Sequence, residues 1–387
     1  MRLYLLTILL TAAVTFVLSV VVWRIALRYR LHPPVRERDV HTRPTPRLGG
    51  VAMFLGIVVA FLVSRTVDYF DIFWVEPRVV WSILAATFLI ALVGVADDLW
   101  DLDWMLKLGA QFLAAGIVAI GGGVQIYALP VGGIAVWSGW VSILLTMFSI
   151  VVVMNAVNFI DGLDGLVAGV CLIANGVFFV YSYILVRDAG ATSYANLGTF
   201  IAAVVVGACL GFLPINWNPA KMFMGDTGAL VLGLLMATSG IAITGQLPPA
   251  ALDPDMTGRS QILGTLLPIL LPLIVVLLPL LDFGLAVVRR MSRGKSPFSP
   301  DREHLHHRML DMGHSDRDAV LIFYAWTAIV SLTVLLMYLF TGANWFGGHW
   351  FGEYWFAVAF GVIGIAACLV LAFVPSRRAA RAPEKAG

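Results

Sequence analysis

Charge is what this sequence has least of. Lys and Arg total 25 and Asp and Glu total 23 in 387 residues, 12% of the chain, about half the roughly 25% of an ordinary soluble domain. Hydrophobic residues make up 60%. A soluble globule of this size cannot bury that much apolar surface, so a soluble enzyme and a disordered chain are both excluded. Cysteine is also scarce. Cys171, Cys209 and Cys368 lie in apolar runs with no metal-ligand spacing, which excludes a disulfide-stapled secreted scaffold and leaves them as small core residues. The net charge of +2 implies no general attraction to nucleic acid. A phosphate-binding GxxxxGK[ST] loop is absent, and so is a convincing internal repeat. The latter weakens a transporter built from inverted halves.

What is present is a series of long apolar runs without the period-two alternation of membrane barrels. Helices are then the way to satisfy the backbone in lipid. The expected fold is an all-α polytopic membrane protein with about eleven spans near 3–23, 49–64, 79–96, 106–121, 139–158, 163–186, 197–215, 226–246, 261–288, 318–340 and 351–374. The first run has no small-x-small cleavage site before Arg24 and its positive charge follows it, so it reads as a retained helix rather than a signal peptide. The ninth contains Pro268, Pro272 and Pro279 and is expected to kink. Residues 123–137 contain two short β-prone runs about a Pro-Val-Gly-Gly turn, predicting a small external hairpin.

With the N-terminus outside and the first loop inside, alternation puts about 20 of the 25 Lys and Arg residues on the cytoplasmic side and 5 outside. That split fixes the expected orientation, with a cytoplasmic C-terminus. The chain reads as one integral-membrane unit over 1–374 and a short basic tail over 375–387. Its active site is expected on the cytoplasmic loops 24–48, 97–106, 158–163, 216–226 and 289–317.

The polar clusters fall in those same loops. They are HTRPTPRLGG at 41–50, DDLWDLD at 97–103, NAVNFIDGLDG at 155–165, NWNPAKMFMGDTG at 216–228 and DREHLHHR at 301–308. Carboxylates at a lipid boundary are costly and mark function by default. A single such Asp is more often a helix cap, but four acids in seven residues, with further acids on the same face, favour a site. Asp161 and Asp164 share one face of a helical turn, Gly162 and Gly165 allow close approach, and Asn158 adds a neutral oxygen. Oxygen ligands on a glycine-bearing loop suit a hard cation, Mg2+ or Mn2+. Asp226 opens an apolar run after Gly225, where a helix N-terminus also attracts phosphate. His304, His306 and His307 with Arg302 and Arg308 lack a fourth zinc ligand, and a basic patch for phosphoryl oxygens is the better reading. Lys107 at the start of a span reads equally as a snorkelling anchor and as a phosphate contact. His314 and His349 are isolated. Together these residues point to metal-assisted phosphoryl transfer between a soluble phosphorylated donor and a lipid acceptor.

PRLGG, VADD, NFIDGLDGL, NPAKMFMGDTGAL and the HxHH loop occur in order between about residues 41 and 310. This set resembles the polyprenyl-phosphate N-acetylhexosamine-1-phosphate transferases. The resemblance implies transfer of HexNAc-1-phosphate from a UDP-sugar to undecaprenyl phosphate in the bacterial plasma membrane, with release of UMP, Mg2+ dependence and a cytoplasmic site. It implies that Asp97 and Asp98 activate or position the lipid phosphate and that Asn158 and Asp226 contact the metal. It also places Lys107 near the phosphates, Asp161, Gly162 and Asp164 in the nucleotide segment, Phe223 at the uracil, and His304, His306, His307 and Arg308 near the pyrophosphate. Family members often pair, so a homodimer is a further implication. The branch that uses UDP-MurNAc-pentapeptide typically carries three consecutive histidines. Here Leu305 interrupts them, which favours a UDP-GlcNAc-type donor.

The expected mechanism is direct attack by the lipid phosphate on the β-phosphorus of the donor, with Asp98 or Asp97 removing or repelling the acceptor proton. A covalent aspartyl-phosphate is the runner-up. A transporter of phosphorylated substrates would need polar groups at mid-membrane depth in both halves. Here only Asp282 stands out within a span. The product would serve as the first lipid-linked intermediate of an envelope glycopolymer such as a teichoic acid or lipopolysaccharide.

Overall fold

A computed structural model of the chain describes residues 1–29, 45–130, 134–136, 138–189, 193–244, 291–292, 294, 314–341 and 353–373. These form helices α1 (Arg2–Arg28), α2 (Gly49–Ser64), α3 (Asp71–Trp74), α4 (Pro77–Trp100), α5 (Trp104–Gly116), α6 (Gly139–Phe159), α7 (Leu166–Ala189), α8 (Ser193–Asn216), α9 (Gly225–Thr244), α10 (Asp316–Thr341) and α11 (Glu353–Phe373). Eight helices among the described residues are long and apolar enough to cross a membrane. The chain is a multi-pass membrane protein. Every expected apolar stretch except 261–288 coincides with a described helix. That stretch, the tail from 375 and the loop carrying His304, His306, His307 and Arg308 lie outside the described residues.

The termini of these helices follow local chemistry. Pro77 stands in the first turn of α4, where its missing N–H costs nothing. The Asp103 carboxylate caps α5 by accepting the Met105 N–H at 2.8 Å. α5 runs on through one turn of π-helix, Ile117–Gly121. A short ribbon follows, in which β1 (Ala128–Pro130) pairs antiparallel with β2 (Ile134–Val136) and Ala128 stands opposite Val136.

α2 ends where the apolar run was expected to end, and a short helical segment that was not expected follows it. The helix stops at Ser64, and the chain turns by 97° into a short segment, Asp68–Trp74. Arg65, Asp68 and Asp71 halt the apolar run there. The turn is fastened where the Trp74 indole N–H donates to Ser64 Oγ at 3.0 Å and the Arg65 guanidinium lies 5.4 Å above the same ring.

α8 and α9 form the centre of the bundle, with α1, α7 and α2 around the first and α6, α4 and α2 around the second. In lipid, helices associate through close packing rather than hydrophobic expulsion, so small residues mark the contacts. A Cβ at Gly211 of α8 would lie 2.2 Å from the Ala12 carbonyl oxygen of α1. Only glycine lets these two axes come so near. The packed core holds one end of α4, α5, α6 and α9 in register, and the polar clusters at 97–103, 155–165 and 216–228 sit there.

Candidate active site

The acidic run DDLWDLD ends α4 and begins α5, and its four carboxylates do different jobs. Asp98 reaches across to α9. Its Oδ1 accepts the Asp226 N–H at 2.9 Å, and its Oδ2 accepts the Thr227 N–H at 3.2 Å and the Thr227 hydroxyl at 2.7 Å. It therefore caps the N-terminus of α9 from another helix and satisfies donors that α9 cannot satisfy itself. Gly225 makes this possible, because it has φ +71° and a Cβ there would lie 2.5 Å from Asp98 Oδ2. Asp103 is the cap of α5 already described. Asp101 adopts φ 51° as the left-handed end of α4.

Asp97 is buried. Its Oδ1 accepts the Leu102 N–H at 2.8 Å, and its Oδ2 lies 2.9 Å from Lys107 Nζ. The same ammonium lies 3.3 Å from Asp226 Oδ2, so Lys107 bridges the two carboxylates. Asn158, at the end of α6, has its side chain beside that of Asp226. Four expected site residues from four helices, Asp97, Lys107, Asn158 and Asp226, thus meet at one point. A polar seam continues away from it, where the Asn155 amide donates to Gln111 one turn along α5 from Lys107.

Asp161 occupies the loop between α6 and α7, which is closed by the Gly162 N–H donating to the Ile160 carbonyl at 2.7 Å. Its side chain is accessible to solvent, yet protein surrounds it closely on the other sides. The loss of bulk water, then the charges of Asp226 and Asp98, push its carboxyl up to about 7 against the opposing pull of Arg47. Arg47 belongs to the PRLGG segment, which pairs with the run leading to Asp226. Phe223 donates its N–H to the Pro46 carbonyl at 2.8 Å, and Gly49 and Gly50 donate to the carbonyls of Phe223 and Met224 at 3.0 and 2.8 Å.

Asp164 and Phe223 lie in the same end of the protein in different settings. Asp164 is buried, and its Oδ2 accepts from the Asn218 amide at 3.1 Å and the Ala220 N–H at 3.0 Å. Phe223 is half-buried. Sequence reasoning missed Thr227 and Arg47 as parts of this site. Neither spacing nor charge marks Thr227, whereas Arg47 could have been found from its place in PRLGG. Among the described residues no group of three or more His, Cys, Asp or Glu side chains could hold a metal ion. The oxygen donors gathered here are the carboxylates Asp97 and Asp226 and the amide of Asn158.

Residues 80–244 match the family model described as glycosyl transferase family 4. A decaprenyl-phosphate N-acetylglucosaminephosphotransferase of Mycolicibacterium smegmatis is 40% identical over 326 residues, covering 83% of this chain and 79% of that protein. The chain belongs to glycosyl transferase family 4. A probable undecaprenyl-phosphate N-acetylglucosaminyl 1-phosphate transferase of Bacillus subtilis is 31% identical, covering 83% of this chain and 81% of that protein. A phospho-N-acetylmuramoyl-pentapeptide-transferase of Halalkalibacterium halodurans is 33% identical over 62% of this chain and 75% of its own. This family 4 member is accordingly a membrane transferase of the phosphosugar type. The matched segment contains the residues of the Asp97–Lys107–Asn158–Asp226 cluster, so the family relation and the geometry concern the same atoms.

Proposed function

We propose that the protein transfers GlcNAc-1-phosphate from UDP-GlcNAc to a polyprenyl phosphate at the cytoplasmic face of the plasma membrane, releasing UMP. The observation that carries this reading is the meeting of Asp97, Lys107, Asn158 and Asp226 at one end of the bundle. The names of the relatives supply the phosphosugar and the polyprenyl acceptor. The cytoplasmic face is supported by the charge split of about 20 to 5, because Lys107, Arg47, Lys221 and Arg317 accompany the acids.

Mg2+ fits the residues present. Asp97, Asp98, Asp161 and Asp226 outnumber Lys107 and Arg47. A pyrophosphate would be repelled from such a site unless a cation accompanied it. Mg2+ is commonly held by one or two carboxylates together with substrate phosphates and water. Asp226, with Asn158 beside it, would hold the ion, which when bound supplies charge stabilisation to the pyrophosphate. Lys107 gives the phosphates a mobile positive partner, since its ammonium already spans Asp97 and Asp226. His304, His306, His307 and Arg308 are proposed to grip the pyrophosphate, and Asp161, Gly162, Asp164 and Phe223 to line the nucleotide side.

In the transfer, an oxygen of the acceptor phosphate forms a bond to the β-phosphorus as the bond from that phosphorus to the bridging oxygen breaks. UMP leaves with the bridging oxygen. A phosphate monoester has its second pKa near ~6, so at neutral pH the acceptor arrives mostly as the dianion. No strong base is required, and Asp98, already committed to three donors, is a positioning residue for Asp226 rather than a proton acceptor. Asp97 holds Lys107 in place.

The acceptor length is a separate matter. Relatives 38–42% identical are named for decaprenyl phosphate and one 31% identical for undecaprenyl phosphate. The test is UMP release by the purified protein in nanodiscs with UDP-GlcNAc, Mg2+ and either polyprenyl phosphate. UMP that depends on lipid and metal supports the proposal. Turnover undiminished in excess chelator removes the metal, and turnover of UDP-MurNAc-pentapeptide in preference to UDP-GlcNAc reassigns the donor.

A further inference from the structure

The first turns of α10, through Arg317 and Tyr324, touch both loops that carry the site. Arg317 donates from Nε to Asn218 Oδ1 at 3.2 Å and from a terminal nitrogen to the Asn218 carbonyl at 2.8 Å. This is a two-pronged grip that a guanidinium makes and an ammonium cannot. Asn218 in turn donates to Asp164 Oδ2 at 3.1 Å, and the Ala220 N–H donates to the same oxygen at 3.0 Å. Alongside this relay, Asn216 accepts the Gly165 N–H at 3.0 Å and donates to the Met222 carbonyl at 3.1 Å. Two helical turns along α10, the Tyr324 hydroxyl donates to the Gly165 carbonyl, and its ring lies over Gly169 and 6.3 Å from that of Trp217.

These contacts tie two segments that are more than fifty residues apart in the chain. Asp161 stands at one end of the first segment. The second runs directly into Gly225 and Asp226 and is held at its far end by the pairing of Phe223 with Pro46 and Gly49. A shift at Asn218 would therefore change the separation of Asp161 from Asp226.

We propose that Arg317 and Tyr324 are positioning residues for the donor site, locking the 160–165 loop and the 216–224 run into one body whose geometry sets donor binding. The inference rests on the function proposed above and concerns residues that touch neither metal nor phosphate in that reading. It also separates the two substrates. The lock fixes the nucleotide-side loops and leaves the Asp97–Lys107 pair on α4 and α5 untouched, so the acceptor side is unaffected.

The test uses the full-length protein in nanodiscs with Arg317→Ala, Arg317→Lys and Tyr324→Phe. Two readouts are taken, amide hydrogen exchange over 160–166 and separate KM values for the two substrates. The expected result is faster exchange at 160–166 in Arg317→Ala and Tyr324→Phe, although residue 317 is about 150 positions away in sequence. The donor KM should rise roughly five- to tenfold, with acceptor KM and melting temperature close to wild type, an effect of about 1 kcal/mol on donor binding alone. Arg317→Lys should behave like Arg317→Ala, because one prong cannot hold both oxygens. Unchanged exchange at 160–166 in both Arg317→Ala and Tyr324→Phe would overturn the proposal. So would faster exchange with donor KM unchanged, or equal rises in both KM values with a lowered melting temperature, which would describe a general scaffold. Should the wild type release no UMP from UDP-GlcNAc, it is the function that fails, and the exchange arm judges the lock by itself.

Discussion

The carboxylate of Asp98, on α4, is the N-terminal cap of the helix on which Asp226 is the second residue. The two adjacent acids expected to act on the acceptor thus make different contacts. Asp97 pairs with Lys107, and Asp98 builds the turn that presents Asp226. Acids that look equivalent in a row of four are separated by where the helix sends them. Successive residues of α4 point about 100° apart, so Asp97 faces α5 and Asp98 faces α9.

The two roles open to Asp98 predict different pH behaviour. As a cap, Asp98→Asn keeps an oxygen acceptor and loses the charge at the helix N-terminus, a cost of about 1–2 kcal/mol. That corresponds to a fall in kcat/KM of roughly five- to thirtyfold, accompanied by weaker Mg2+ binding. The acid limb of the pH–rate profile should keep its midpoint, and Thr227→Val should reproduce part of the loss. A base, by contrast, would take the acid limb with it, so a profile that loses that limb in Asp98→Asn ends the cap assignment.

Much of this site was legible in the sequence, and the reasons differ by residue. Asp97, Asn158 and Asp226 stood out because charge and amide at the ends of apolar runs are expensive and therefore selected. Their meeting was inferable from the loops sharing one membrane face. The role of Asp98 was not legible, since a cap supplied by a different helix leaves no fixed spacing like that of Asp103 and Met105. Arg317 was hidden for a similar reason, reading as one more positive charge at a helix start. The end of α2 at Ser64 was legible from Arg65, whereas the short bent segment Asp68–Trp74 was not, being too brief to show a helical period. The two glycines of PRLGG became explicable only from packing, where a Cβ at Gly50 would lie 2.1 Å from the Gly228 nitrogen.

Asp161 makes stability depend on pH in a definite direction. Its carboxyl is held up at about 7 in the folded protein, against about 3.9 in an unfolded chain. The folded state therefore holds the proton more tightly, and its stability is fully present below the unfolded value and lost as pH rises through about 7. Metal-free protein should melt at a lower temperature at pH 8.5 than at pH 5.5 by this contribution, and Asp161→Asn should flatten the difference. Adding Mg2+ at pH 8.5 should restore part of the wild-type loss. An Asp161→Asn variant with the same pH slope as wild type would show that the carboxyl titrates normally.

Removing the ammonium from between Asp97 and Asp226 should separate metal binding from turnover. In Lys107→Met the two carboxylates lose the cation that lies 2.9 and 3.3 Å from them. Divalent-ion affinity without substrate should rise, by roughly tenfold for ~1.4 kcal/mol of relieved competition. Turnover should fall by about two orders of magnitude, the usual scale for losing a charged group that meets the transferring phosphate. Calorimetric titration of metal into the substrate-free protein reads the first effect, and UMP release reads the second. Weaker metal binding in Lys107→Met would mean that the lysine supports the ion rather than competing for its ligands.

The tightest point of the site can be tested with one methyl group. A Cβ at Gly225 would lie 2.4 Å from the Arg47 carbonyl oxygen and 2.5 Å from Asp98 Oδ2, on a backbone with φ +71°. Gly225→Ala must then both strain the left-handed turn and push Asp98 off the α9 terminus. The strain alone costs about 1–3 kcal/mol, and displacing the cap adds about 1–2 kcal/mol. A fall of several degrees in melting temperature and nearly complete loss of UMP release are expected together. Gly109→Ala, on α5 with no atom within 4 Å of the new carbon, is the matched control and should be neutral or slightly stabilising, as alanine is the better helix former. If Gly225→Ala retained wild-type turnover, the Asp98–Asp226 contact could not be what presents the metal-binding carboxylate.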